Sequence, residues 1–120
     1  MMRQDAKSLA LYLAIRDKIQ RTDTMAHLVQ AKSWAQRFFK ERPEDIWLAE
    51  WVERLDAAIA SPEALEDLYA LMGSTEQHAI DMRSSSPFSG VLTTKERTEV
   101  LVRFVESWKK GEWLPTGDRA

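Results

Sequence analysis

The chain has 120 residues, 44% of them apolar, with five Trp, four Phe and two Tyr, a formal net charge of −2 and no cysteine. That length and that aromatic bulk suit one domain with one core, and the missing cysteines exclude disulfides, thiolate zinc sites and cysteine nucleophiles. The near-neutral total hides a sorted distribution: +5 over residues 1–42, −9 over residues 43–82 and +2 over residues 83–120.

Four Gly and four Pro punctuate the chain, and between them apolar residues recur at helical spacing with no period-two run. The expected fold is therefore all-α: a single compact domain over 1–120, an irregular bundle of five or six helices, with 112–120 a partly frayed tail. The first helix, Asp5 to Arg21, places Leu11, Tyr12, Ile15 and Ile19 on one side with Leu9 and Leu13 flanking, a sector wider than one neighbour covers. Arg16 falls inside that sector. The reading pairs it with a carboxylate of the acidic middle or lets its stem snorkel to solvent.

Thr22-Asp23-Thr24 supplies N-cap chemistry for a second helix to Glu41, with Leu28, Ala31, Trp34, Ala35 and Phe38 inward, and Pro43 closes it. The third helix, Glu44 to Ala60, carries Leu48, Trp51, Val52, Leu55, Ala58 and Ile59 on one face. Ser61-Pro62-Glu63 reads as N-cap, first-turn proline and first-turn acid of a short helix that ends before Gly73 as its C′ residue. Ser74 to Gln77 has the form of a capping box for a further short helix, and Thr93 to Glu96 opens a last one that runs to Lys110 before Gly111. In the serine-rich loop between them, Phe88 is expected to dock on the core.

The acidic middle is the candidate functional surface. Asp45, Glu50, Glu53 and Asp56 project from the side of the third helix opposite its apolar stripe, and Glu63, Glu66 and Asp67 continue on the next helix, with Arg54 as the one counter-charge. Trp47 stands at the rim of its stripe, seven residues before Arg54, and Trp113 follows the last helix; Trp with Arg is the composition of interface hot spots. These residues point to a protein partner with a basic surface. The bland alternatives are a solvated helix face, or basic ends folded against the acidic middle as internal pairing.

Catalytic motifs are absent: His27 and His78 belong to no triad pattern, and there is no phosphate-binding glycine loop, no E-x-x-H and no cofactor signature. The reading is a non-enzymatic protein–protein interaction or regulatory module without cofactor or metal, with a homodimer through the broad first helix as a further arrangement. Two rivals stay open. One is a DNA-binding regulator using the basic N-terminal helices, which needs Arg3, Lys7, Lys32, Arg37 and Lys40 on one face. The other is a DNA-mimicking inhibitor of a nucleic-acid-binding protein. Residues 91–101 resemble the first helix of the LuxR-type helix-turn-helix, but that family needs two further helices, and the nineteen residues left, with Gly111 and Pro115, do not hold them. No segment reaches the length of a membrane span, so no membrane partner is expected, and with no leader-type apolar run at the start the expected address is the cytoplasm.

Overall fold

The computed structural model describes residues 1–113, and these form six helices with no strand: α1 Arg3–Arg21, α2 Thr24–Glu41, α3 Ile46–Ala60, α4 Pro62–Met72, α5 Gln77–Arg83 and α6 Thr94–Lys110. The all-α expectation holds, and none of these helices is long and apolar enough to cross a membrane.

Local chemistry sets the boundaries. The Asp23 side chain accepts from the Ala26 amide to start α2, and Ser61 accepts from the Ala64 amide with Pro62 in the first turn of α4. α3 starts two residues later than its apolar pattern suggests, because Asp45 is its N-cap and accepts from the amides of Trp47 and Leu48 at 3.0 and 3.1 Å. The Thr93/Glu96 capping box forms in both directions, and Gly111 ends α6 in the left-handed conformation that its missing Cβ permits, with φ 71°. The Ser74/Gln77 box does not form. Ser74 Oγ instead accepts from the Glu76 amide, and α5 begins at Gln77 without a side-chain cap.

α2 packs against α3 and α3 against α4, α1 lies across α2, α4 and α5, and α6 packs against α1 alone. The core centres on Trp51, which is fully buried and whose Nε1 donates to the Met82 carbonyl at 2.7 Å. Tyr12 and Phe88 surround it, with ring centroids 6.1 Å (Tyr12–Trp51), 5.6 Å (Tyr12–Phe88) and 5.3 Å (Trp51–Phe88) apart. Phe88 thus docks as expected, tethering the loop between α5 and α6. Each such ring pair adds about 0.5–1.5 kcal/mol beyond the area it buries.

One expectation about the interior changes. Arg16 does not meet a carboxylate; its Nη1 donates to the Tyr69 carbonyl at 3.0 Å in the last turn of α4, the end of a helix whose dipole attracts a cation. Gly73 at that end has φ −103°, so no left-handed backbone demands a glycine there. It is the approach of Arg16 that does: a Cβ on Gly73 would lie 2.4 Å from Arg16 Nη1. Arg83 is a further cation of the interior, buried at the end of α5 with Nη1 3.4 Å from the Met72 carbonyl and its guanidinium 6.0 Å from the Tyr12 ring centroid.

Candidate functional site: the acidic face of α3 and α4

Along α3 the buried Leu48, Trp51, Leu55 and Ala58 turn Ile46, Glu50, Glu53 and Ala57 to the opposite side. On α4 the buried Leu68, Tyr69 and Met72 do the same for Glu63, Glu66, Asp67 and Ala70. Two shallow open depressions mark this face. One, of about 570 Å³, is lined by Ile46, Ala49, Glu50, Glu53, Arg54 and His78, and the other, of about 440 Å³, includes Arg54, Asp67, Leu71, Glu76 and His78. Arg54 and His78 line both and form the ridge between them.

That ridge is held by one carboxylate oxygen. Arg54 Nε donates to Glu50 Oε2 at 2.6 Å, one turn along α3, and His78 Nε2 lies 2.8 Å from the same oxygen, reaching across from α5. Partial burial pushes the Glu50 pKa up, but the hydrogen bonds from His78 and Arg54 outweigh it, and the net pKa falls below the ordinary carboxylate value. Trp47 meets the His78 ring edge to face at 5.5 Å, so the rim aromatic is half-buried against α5.

The structure distributes the other candidate residues unevenly. Glu53, Glu66 and Asp67 are exposed and form no ion pair among the described residues. Glu63 is exposed too, and hydrogen bonds from its own backbone amide and from Ser61 hold its carboxyl below the usual range. Asp56 stands at the α2 border, where Lys32 Nζ reaches it at 2.6 Å. Asp45 turns inward: besides capping α3 it accepts from Ser85 Oγ at 2.8 Å, which pins the loop after α5. Trp113 is remote from this face. It lies on Trp108 with centroids 5.1 Å apart, beside a groove between α1 and α6 that includes Leu13 and Phe104; the rest of the 112–120 tail, from residue 114 on, lies outside the described residues.

Among the described residues, internal pairing of basic ends with the acidic middle therefore reduces to Lys32–Asp56; the other cross-element bridge of lysine, Lys18 to Glu96 at 2.6 Å, ties α1 to α6. Of the five cations that the DNA-binding reading gathers on one face, two are drawn to other elements: Lys32 to Asp56 on α3, and Arg3 to the Phe104 ring on α6 at 5.8 Å. His27 Nε2 meets Thr22 Oγ1 at 2.7 Å at the start of α2 and pairs with no carboxylate among the described residues. His78 does sit beside a carboxylate, yet no hydroxyl of the described residues is hydrogen-bonded to its ring, Arg54 shares the same oxygen, and the depressions are open to water.

His78 and Ile46 are the members of this face that the sequence did not single out. Glu50 lies 28 residues from His78, so no local spacing announces their pairing, and Ile46, 65% exposed, stands opposite the α3 stripe, where an apolar side chain by itself announces no site. Compared with known proteins, the chain matches no family model, no curated protein and no solved structure.

Proposed function

We propose that this protein is a non-enzymatic binding module that engages a basic protein partner through the outer face of α3 and α4. The observation that carries this reading is the set of exposed carboxylates on Glu53, Glu63, Glu66 and Asp67, which no cation of the described residues neutralises. Field complementarity of that kind speeds encounter and selects partners more than it supplies affinity. Affinity comes from desolvated anchors, and Ile46, exposed beside Glu50 and Glu53, together with half-buried Trp47 next door, supplies apolar area at one end of the strip. Only one oxygen of Glu50 is engaged by Arg54 and His78, so the other is left for a partner's lysine or arginine.

The test compares two baits in host extract, the wild-type chain and a Glu53→Lys/Glu66→Lys/Asp67→Lys variant, at low and high salt. The reading expects a protein with a basic surface that the wild type retains, that high salt releases and that the variant does not retain. Retention of the same proteins by both baits contradicts it.

A further inference from the structure

The flank of α2 turned away from Lys32 carries an arrangement of the opposite sign. Trp34 and Phe38, one turn apart, stack with centroids 5.5 Å apart and planes 28° apart. The Arg37 guanidinium lies 5.3 Å from the Trp34 ring centroid and that of Arg42 5.7 Å from Phe38. Four flat groups thus run as a ladder along about 12 Å of helix, at about 1.5 Å per residue. Both rings are half-buried and both arginines exposed, and neither arginine nor neighbouring Lys40 forms an ion pair among the described residues.

From this geometry we infer that the Arg37–Trp34–Phe38–Arg42 ladder is a binding site for single-stranded nucleic acid. A guanidinium lying over a ring keeps its N–H edge pointing outward, where it matches the oxygens of a phosphodiester. An exposed guanidinium–ring contact is weak, and base–ring stacking is stronger, so a base displaces Arg37 from Trp34 while the freed guanidinium takes the phosphate. A duplex is excluded by the same argument, since its bases are not available to stack. An acidic peptide could use the two guanidinium groups but has no use for the ring faces, which is why the ladder favours nucleic acid. Lys32 lies on the opposite flank of α2, bound to Asp56 on α3, so the ladder and the acidic face point different ways and this inference does not rest on the proposed protein-binding role.

The experiment is fluorescence anisotropy of a labelled ten-residue oligothymidylate titrated with the full chain at 50 mM and 200 mM salt. Three cations on phosphates give a slope of log affinity against log salt of about −2, hence a loss of about twenty-fold between those salt concentrations. The Arg37→Gln/Arg42→Gln variant changes only exposed side chains; it weakens binding by about ten-fold or more at 50 mM salt and brings the slope to about −0.7. Binding lowers tryptophan emission in the wild type and leaves it unchanged in Trp34→Phe, which locates the stacked base. Three results overturn the inference: no anisotropy change up to 100 µM protein, on the order of the weakest non-specific binding; equal affinity in the double variant; or competition by oligoglutamate as effective as by unlabelled oligothymidylate, which would make the site a receptor for acidic peptide.

Discussion

Replacing Gly73 by alanine tests the most specific long-range contact in the fold. The new Cβ would sit 2.4 Å from Arg16 Nη1, 3.2 Å from its Cζ and 3.4 Å from Leu13 Cδ2, so the guanidinium must leave. What is lost is its 3.0 Å hydrogen bond to the Tyr69 carbonyl at the end of α4. A hydrogen bond to a charged group contributes about 1.5–3 kcal/mol, and alanine returns about 0.4–1 kcal/mol by restricting the unfolded chain at a position whose φ of −103° it adopts without strain. The net expectation is a destabilisation of about 1–2 kcal/mol, a drop in Tm of about 4–8 °C for a chain of this size. Urea unfolding followed by circular dichroism measures it in a cycle with Arg16→Met. In the Arg16→Met background the glycine substitution becomes neutral or stabilising. Equal destabilisation in both backgrounds, or a stabilised single variant, refutes the reasoning.

Three further perturbations have definite expected outcomes. Phe88→Ala empties the space between Tyr12 and Trp51 and lowers stability by about 3–5 kcal/mol in urea unfolding, whereas a loss under about 1 kcal/mol would show that the loop does not dock. Glu96 is held at a pKa of about 2 by the Lys18 ammonium and by the capping-box hydrogen bonds. Its folded value lies below the ordinary 4.5, so its contribution is complete above about pH 4.5 and is lost as pH falls towards 2. Glu96→Gln accordingly flattens the fall of the urea midpoint with pH across that window, and an unchanged slope would deny the bridge. Arg83, buried with its Nε and Nη2 unpartnered among the described residues, tolerates Met with stability unchanged or raised; a loss above about 3 kcal/mol would show its charge to be well compensated.

The helical order was legible because it rests on local signals. Thr93 and Glu96, Ser61 and Pro62, and the 3.6-residue recurrence of Leu48, Trp51 and Leu55 act within a few residues of one another. Phe88 was legible for a different reason, as a lone aromatic in a serine-rich loop. What escaped depends on pairs far apart in the chain. Arg16 meets Tyr69 across 53 residues, Ser85 meets Asp45 across 40 and His78 meets Glu50 across 28. Asp45 shows how this misleads a surface reading: its helical position puts it on the acidic face, but as an N-cap its side chain turns back to the backbone of α3. Trp34 shows the converse: expected inward, it is half-buried at the flank of the stripe, where its ring stacks on Phe38 and lies under Arg37. The sorting of charge along the chain thus becomes two surfaces, carboxylates on α3 and α4 and a guanidinium–aromatic ladder on α2, with Lys32–Asp56 at the border between those elements.

The most direct test of the central claim is carboxylate footprinting of the complex with the salt-sensitive partner recovered by the wild-type bait. Carbodiimide labelling of the free protein modifies the exposed carboxylates of α3, α4 and α6 alike. In the complex, Glu53, Glu63, Glu66 and Asp67 become protected by several-fold while Glu99 and Glu106 on α6 react as before. Unchanged labelling of the four residues, with protection elsewhere, would contradict the assignment of the binding surface to α3 and α4.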